Sequence, residues 1–234
     1  MVIFLFSSLV ARAGLVNGES RRSMRELPSP LLKKLALQVG FLHNDKKSCN
    51  GVLINSTCQT MASAMHCSGV DSSEHMQSFS GVRWSPHPFS DRRVQINYTL
   101  TFFSLNYFNE QGRYDYAEYK SDYGLNACLD VKIDSSGACD GQVYMIGYTD
   151  QFGPTKIFDT CETLDFFPGS EKTGLIKHTC DSTPGSSGSP LFCSHLDGSV
   201  SLIGININGG GDEHLDSQGN LVSTHNWAVI PRNW

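Results

Sequence analysis

The chain is a series of short apolar runs separated by turn-forming residues. Residues 51–54, 94–100, 143–146 and 200–205 are examples, rich in Val, Ile and Leu and bounded by Gly, Ser, Asn or Asp. Runs of this kind, with a turn about every 8–12 residues, are typical of antiparallel sandwiches and barrels and not of βαβ folds. The sequence therefore predicts an all-β protein, and 234 residues suit one large β domain or two small ones that share a core.

The composition fits a folded domain and gives no sign of a nucleic-acid partner. Hydrophobic residues make up 39% of the chain and charged residues 18%, which allows a sizeable core. The net charge is -5, and no basic run is interleaved with aromatic residues. We therefore expect no nucleic-acid binding, and beyond the N-terminus no apolar stretch is long enough to span a membrane.

Eight cysteines point to an oxidising compartment. None lies in a CxxC pair or at zinc-ligand spacing, and an even number spread through a Gly/Ser-rich β chain favours disulfides over free thiols. The apolar run of residues 2–10 is followed by Ala11-Arg12-Ala13, a small-x-small pattern suited to signal-peptide cleavage, although no Lys or Arg precedes the run. We predict a signal peptide over residues 1–13 and a secreted protein, either extracellular or periplasmic.

The most informative segment is Pro-Gly-Ser-Ser-Gly-Ser-Pro at residues 184–190. Gly185 and Gly188 permit backbone angles that other residues resist, so a tight turn can expose the hydroxyl of Ser187 and aim successive N–H groups at one point. An ordinary Gly/Ser loop would have the same composition, so the segment needs a second observation before it predicts a nucleophile.

That observation is a histidine in a constrained setting. A serine hydroxyl is a poor nucleophile without a base beside it. A strand-like segment ends in Ala64-Met65-His66, and the next residue, Cys67, can pair with Cys49. Such a bridge would hold the imidazole of His66 at a fixed strand end, which distinguishes it from a histidine in an ordinary surface or core position.

Together these segments resemble the Cys-x-Gly-x-Leu-Ile and Ala-x-His-Cys signatures of the chymotrypsin/trypsin clan of serine proteases, and the serine loop is nearest to that of the secreted glutamyl-endopeptidase branch. The resemblance covers most of the chain. It implies two six-stranded antiparallel β-barrels with the active site in the cleft between them: an N-terminal extension and first barrel over residues 14–135, and a second barrel over 136–234. It also implies a monomeric, secreted endopeptidase that acts on polypeptides through an acyl-enzyme, with no metal or organic cofactor.

The catalytic triad that the resemblance implies is His66, Asp122 and Ser187, with the oxyanion bound by the backbone N–H groups of Gly185 and Ser187. Asp122-Tyr123-Gly124-Leu125 resembles the clan's Asp-aromatic-Ala-Leu motif, although Asn126 interrupts the apolar strand expected after it. Asp115-Tyr116-Ala117 is a competing match, but Glu118 and Lys120 follow it and suit a strand core poorly. Asp122 is therefore preferred, with Asp115 as the stated alternative.

The resemblance also suggests a substrate pocket. Asp181 lies six residues before Ser187, where trypsin-like members hold a carboxylate that selects Arg or Lys, although in other relatives an aspartate there has a structural role. Residues 204–210 resemble the strand that pairs with the substrate backbone. The pocket residues expected from these matches are Asp181, Asn206, Ile207, Asn208 and Gly209. Glutamyl endopeptidases place a histidine where this chain has Asn206.

Two disulfides follow from the resemblance, Cys49–Cys67 and Cys161–Cys180. The remaining cysteines are Cys58, Cys128, Cys139 and Cys193, for which three pairings are possible. A local Cys128–Cys139 bridge competes with Cys139–Cys193, and the sequence does not decide between them.

Two further departures from the clan qualify the resemblance. Digestive members carry an aspartate before the nucleophile that traps a new N-terminal amine on activation, and this chain has Ser186 there, so we do not expect that switch. The sequence ends at Trp234, soon after the last pocket strand, so the clan's C-terminal helix is missing or the sequence is a fragment. The alternative function is that of a catalytically silent homologue acting as a binding module, although such proteins usually lose the Ser or the His that this chain keeps.

Overall fold

The computed structural model describes residues 21–231 except 44–47, 70–80, 88–94, 104–114, 125–126, 169–173, 211–213, 216–220 and 223, and residues 208–222 by backbone alone. The predicted signal peptide lies outside the described residues. The strands in chain order are β1 (Arg22–Ser23), β2 (Val39–His43), β3 (Ser48–Leu53), β4 (Thr60–Ser63), β5 (Val82–Ser85), β6 (Ile96–Phe103), β7 (Ala117–Lys120), β8 (Lys132–Ile133), β9 (Gln142–Gly147), β10 (Ile157–Cys161), β11 (Thr163–Pro168), β12 (Gly174–His178), β13 (Pro190–Ser194), β14 (Val200–Gly210), β15 (His214–Leu215), β16 (Leu221–Val222) and β17 (His225–Val229).

The first half of the chain forms a closed barrel of six strands in the order β2-β3-β4-β7-β6-β5. Neighbouring strands are antiparallel throughout. Large side chains such as Leu42, Met61, Trp84 and Tyr119 point inward and are almost completely buried. Their burial removes apolar surface from water and is the main force that closes the barrel.

The second half forms a nine-stranded sheet in the order β1-β10-β9-β13-β14-β17-β12-β11, with β8 pairing in parallel to the start of β14. The predicted all-β double-barrel class is confirmed, although this sheet has more than the six strands expected. The expected domain boundary near residue 135 falls between β8 and β9. Both β1 and β8 nevertheless pair with the second sheet.

One short helix, α1 (Pro30–Ala36), precedes the barrel. Ser29 caps it, because its side chain accepts a hydrogen bond from the N–H of Leu32, and Pro30 at the first position fits a helix start. The C-terminal end of α1 meets Lys156 of the second sheet region, whose ammonium donates to the carbonyl of Ala36 at 2.8 Å. Burial lowers the pKa of Lys156 to about 8. The helix therefore fastens the two halves of the molecule together.

All eight cysteines are paired. The expected bridges Cys49–Cys67 and Cys161–Cys180 are present. The undecided four pair as Cys58–Cys128 and Cys139–Cys193, so the local Cys128–Cys139 alternative is excluded. No helix of the described residues is long and apolar enough to cross a membrane.

Candidate active site

His66 lies in a short 3₁₀ turn, Met65–Ser68, that follows directly on β4. The neighbouring Cys67 is bridged to Cys49 of β3. Because β3 and β4 are adjacent strands of the closed barrel, the turn is held at a fixed end of that barrel. The side chain of His66 is 11% exposed, which leaves one edge of the ring within reach of a ligand.

Asp115 binds His66 through both of its carboxylate oxygens. One oxygen accepts the main-chain N–H of His66 at 2.8 Å, and the other accepts a very short hydrogen bond from the ring nitrogen Nδ1. The carbonyl of Asp115 also accepts the N–H of Met65 at 3.2 Å. A carboxylate against Nδ1 places the ring proton there and leaves Nε2 as a proton acceptor. Asp115 therefore has the geometry of a triad acid.

Asp122 does not reach His66, so the preferred sequence assignment is corrected in favour of Asp115. Asp115 precedes β7 and Asp122 follows it, so the two aspartates lie at opposite ends of that strand. That strand pairs antiparallel with β4, so Asp115 meets the end of β4, near His66, while Asp122 lies at its start and accepts a hydrogen bond from Gln59 on its main-chain carbonyl. At about 3.3 Å per residue, the seven-residue step from Asp115 to Asp122 corresponds to roughly 23 Å along an extended chain. The side chain of Asp122 is exposed.

The serine loop takes the positive-φ turns that its glycines predict. Gly185 and Gly188 have φ angles of 89° and 79°, in the left-handed region that favours glycine. At Gly188 a Cβ atom would lie 2.0 Å from the carbonyl oxygen of Asn50, so no other residue fits without moving the strand beneath. The loop is thus pressed directly against β3 of the first barrel.

Asn50, which the sequence did not single out, joins the two halves at this point. Its main-chain N–H donates to the carbonyl of Ser187 at 2.8 Å. Its side-chain amide donates to the carbonyls of Gly185 at 2.8 Å and Tyr148 at 3.0 Å, and its side-chain oxygen accepts the N–H of Tyr148 at 2.7 Å. Because Asn50 follows Cys49 and Cys49 is bridged to Cys67, the same strand anchors both His66 and Ser187. Its partners Tyr148 and Gly185 lie 98 and 135 positions along the chain, so no local pattern in the sequence indicated this role.

The structure thus brings Ser187 and His66 to the same junction without a direct hydrogen bond between them in the described part of the chain. The Ser187 hydroxyl donates to the carbonyl of Ile207 at 3.3 Å, and His66 Nε2 lies 3.9 Å from the sulfur of Cys67. Catalytic hydrogen bonds are often long in a protein without substrate and tighten when it binds.

The N–H groups expected to bind an oxyanion are available. Neither the N–H of Gly185 nor that of Ser187 has an acceptor among the described residues, whereas the N–H groups of Ser186, Gly188 and Ser189 are all engaged. Asn50 fixes the carbonyl of Gly185 and so sets the orientation of the peptide that follows it. Preorganised N–H groups of this kind stabilise negative charge that develops on a substrate carbonyl.

The pocket residues expected from the sequence divide into two groups. Asp181 and Asn206 are completely buried. The Asn206 side chain donates to Ser182 Oγ at 3.0 Å and to the carbonyl of Ser186 at 3.1 Å, so it braces the loop from below. The N–H of Asp181 donates at 2.7 Å to the carboxylate of Asp159, a second buried acid.

Ile207, Asn208 and Gly209 belong to β14 at the point where its pairing partners change. The strand β13 pairs with β14 only as far as Ile205, and beyond it β17 continues alone on the other side. The main-chain edge of residues 207–209 is therefore open among the described strands. For Asn208 and Gly209 the structure gives the backbone register: they pair with Trp227 and Asn226 of β17.

Behind this edge lies His178, a fully buried histidine of β12. Its Nε2 is 3.2 Å from the side-chain oxygen of Asn206. Burial lowers the pKa of His178 to about 4, because the charged ring would lose its hydration. His178 is therefore neutral at physiological pH and shares its hydrogen bond with the residue that braces the serine loop.

A second Asp–His–Ser row shows why geometry alone does not define a nucleophile. Asp140 lies 2.6 Å from His195 Nδ1, and His195 Nε2 lies 2.7 Å from the hydroxyl of Ser201. Ser201 is completely buried within β14 and has no glycine turn that would expose it. This row is inaccessible to a substrate and fastens the β13–β14 hairpin.

Comparison with known proteins supports the fold at low sequence identity. No protein-family model and no curated protein matches the sequence. Among solved structures, a Glu endopeptidase is 16% identical, covers 93% of this chain and 94% of its own, and gives a TM-score of 0.63. Rv3671c from M. tuberculosis, solved as an inactive serine-to-alanine mutant, is 12% identical over 87% of this chain and 86% of its own, with a TM-score of 0.55.

A third similar structure is the protease Anisep from Arthrobacter nicotinovorans. It is 16% identical, covers 85% of this chain and 91% of its own, and gives a TM-score of 0.56. The structural match thus runs over nearly the whole length of each protein, including both halves of the fold. The chain has the chymotrypsin-like double-barrel fold of these proteases.

Proposed function

We propose that the chain is a serine endopeptidase that hydrolyses peptide bonds through an acyl-enzyme formed on Ser187. The observation that carries the proposal is the bidentate pair of Asp115 and His66, which lies at the same junction as the glycine-flanked Ser187. The proposed triad is therefore His66, Asp115 and Ser187. The three protease structures with the same fold support this chemistry.

The proposed reaction follows from the positions of these groups. The Ser187 hydroxyl attacks the substrate carbonyl while His66 Nε2 takes its proton, and Asp115 stabilises the imidazolium that forms. The N–H groups of Gly185 and Ser187 receive the oxyanion, a contribution of about 3 kcal/mol for each donor. His66 then returns the proton to the leaving amine, and a water activated by the same ring releases the acyl group.

The open edge of β14 offers a place for the substrate backbone. An extended peptide can add to an exposed strand edge through main-chain hydrogen bonds. Because the Ile207 carbonyl already accepts the Ser187 hydroxyl, a peptide paired with residues 207–209 would bring its scissile bond to the nucleophile. The same pairing would free the hydroxyl to turn toward His66.

The proposal is tested by covalent labelling with a fluorophosphonate probe. We expect the intact protein to label at Ser187, because the probe reacts only with a serine activated by a base. Ser187→Ala and His66→Ala should each abolish labelling, measured by mass spectrometry of the tryptic peptide that contains residue 187. Ser201→Ala, the serine of the buried second row, is the matched control and should label like the parent.

Two outcomes would contradict the proposal. Labelling that persists at residue 187 in His66→Ala would mean that another group activates the serine. Absence of labelling in the folded parent protein, with peptide binding retained, would favour the catalytically silent binding module instead.

We further propose a preference for a basic residue before the scissile bond. Asp181 is buried six residues before the nucleophile, and its N–H is bound to the buried carboxylate of Asp159. Two acids beneath the serine loop favour a substrate side chain with a positive charge. The Glu endopeptidase with the same fold supports the opposite preference, cleavage after glutamate.

Paired peptide substrates that differ only in Arg or Glu before the scissile bond separate these preferences. If Asp181 selects Arg, Asp181→Ser should lower kcat/KM for the Arg peptide by about 100-fold and leave the Glu peptide nearly unchanged, because the charge-assisted bond is lost. Faster cleavage of the Glu peptide by the parent, with no effect of Asp181→Ser on the ratio, would establish the acidic preference and a structural role for Asp181.

We also propose that the protein acts as a secreted monomer. Four disulfides engage every cysteine, which favours an oxidising compartment such as the extracellular space or the periplasm. The proposed substrate is a polypeptide, with no part for nucleic acid.

A further inference from the structure

Arg21, in the arm before the first barrel, reaches the serine loop of the second half. The arm is held by β1, which pairs with β10. One guanidinium nitrogen of Arg21 donates to the hydroxyl of Thr183 at 2.7 Å, and the other donates to the side-chain oxygen of Gln151 at 2.6 Å. The guanidinium also lies 4.8 Å from the ring centroid of Phe152, a cation–π contact.

Thr183 is the residue from which the serine loop turns. The N–H of Thr183 donates to Ser186 Oγ at 2.9 Å, and the N–H of Ser186 donates to the carbonyl of Thr183 at 2.9 Å. Ser186 immediately precedes the nucleophile, so the orientation of the peptide between Ser186 and Ser187 depends on this closed ring of hydrogen bonds. Arg21 holds the outer side of that ring.

Arg21 also shares a cavity with the buried acid behind the loop. Arg21, Asp159 and Ser186 line a common cavity of about 10 Å³, the size of one water molecule. The Asp159 carboxylate accepts the N–H of Asp181 at 2.7 Å. Arg21 therefore adds a positive charge to a cavity that a buried carboxylate also lines.

We propose that Arg21 is a positioning residue that holds the serine loop in the shape required for oxyanion binding. On this proposal the loop is set by a side chain within the N-terminal arm. This inference rests on the proposed endopeptidase function. It identifies the docked arm, through Arg21, as the element on which the shape of the loop depends.

Arg21→Ala tests the proposal, with Arg22→Ala as the matched control. Arg22 is the next residue of the same arm, and its side chain is exposed. We expect Arg21→Ala to lower kcat by about 30-fold with KM changed less than about threefold, because the loss falls on oxyanion stabilisation rather than on substrate binding. Arg22→Ala should keep the parent kcat, and guanidinium chloride at about 20 mM should restore part of the activity of Arg21→Ala alone.

Thr183→Val examines the other end of the contact. If Arg21 acts through the Thr183 hydroxyl, the double variant Arg21→Ala/Thr183→Val should be no slower than the slower of the two single variants. Additive losses, or an Arg21→Ala variant with the parent kcat, would overturn the proposal. If Arg21→Ala does not fold, Thr183→Val and Arg21→Lys test the role of Arg21 instead. Thr183→Val should reproduce the loss of kcat, and Arg21→Lys should retain part of the activity.

Amide hydrogen exchange separates this inference from the proposed function. Exchange at the N–H groups of Ser186, Gly188 and Ser189 should be faster in Arg21→Ala than in Arg22→Ala, because these amides are protected only while the loop keeps its shape. This measurement needs no catalysis. A parent protein without peptidase activity would refute the endopeptidase proposal, while unchanged exchange in Arg21→Ala would refute the role of Arg21.

Discussion

Replacing Asp115 by asparagine should lower kcat by about 10⁴-fold, whereas the same change at Asp122 should leave kcat within about twofold of the parent. The reason lies in the two hydrogen bonds that Asp115 accepts from His66. An asparagine amide could donate to Nδ1, which would move the ring proton to Nε2 and remove the base that Ser187 requires. Asp122 is exposed and lies beyond the far end of β7, so its carboxylate makes no hydrogen bond to the imidazole.

Steady-state cleavage of a peptide substrate measures both variants, with the concentration of active sites titrated by a fluorophosphonate. Near-ultraviolet circular dichroism should be unchanged in each, since asparagine has the volume of aspartate. A large loss in Asp122→Asn with normal activity in Asp115→Asn would restore the original sequence assignment and reject the pairing seen in the structure.

Replacing Asn50 by alanine should destabilise the protein by about 4 kcal/mol, because several buried polar groups lose their partners at once. The Asn50 side chain serves the carbonyls of Gly185 and Tyr148 and the N–H of Tyr148. In a chain of this length the loss corresponds to a fall in Tm of roughly 10 °C. The peptide after Gly185 would also lose its support, and we expect kcat to fall by about 100-fold as the oxyanion donors move.

Thermal unfolding and kcat should be measured together, with Asn97→Ala as the control. Asn97 also lies on a strand of the first barrel, but its side chain is exposed. Loss of stability without loss of activity would mean that Asn50 holds the barrel alone. Full retention of both would show that water replaces the Asn50 side chain at no cost.

The glycine turn at Ser187 and the constrained position of His66 could be predicted from the sequence because each depends on local chemistry. Glycine is favoured wherever a chain turns through positive φ. Gly185 and Gly188 therefore mark the turn within the seven residues 184–190. His66 was recognised because the next residue is a cysteine whose partner, Cys49, lies one strand away. In both cases the sequence carries the constraint within a single turn or hairpin.

The sequence favoured the wrong aspartate as the partner of His66 because the rule that core-facing positions are apolar fails at β7. Glu118 is completely buried inside the barrel, and its carboxylate accepts a hydrogen bond from the hydroxyl of Tyr116 at 2.7 Å. A buried, hydrogen-bonded acid reads as a surface residue in a sequence, so the strand after Asp115 looked unsuitable. The exposed Asp122 matched the motif better and had no structural role at the site.

Asn50 and Arg21 were beyond the reach of the sequence for a different reason. Each acts on partners more than a hundred positions away, at Gly185 and Thr183 respectively. Nothing near either residue indicates such a partner. The pairing of Cys58 with Cys128 was hidden for the same reason, since only the closed barrel brings them together.

The division of the site between the two halves has a consequence for how the chain becomes active. His66 and Asp115 belong to the barrel, Ser187 belongs to the sheet, and Asn50 joins them only after both have formed. Contacts between distant parts of a chain form late in folding, because closing a long loop costs entropy before the contact can repay it. A half-folded chain can therefore hold a complete Asp–His pair or a well-formed serine turn without joining the two. Under the proposed function, peptide hydrolysis would begin only after the two halves dock, so a partly folded chain would not cleave other copies of itself.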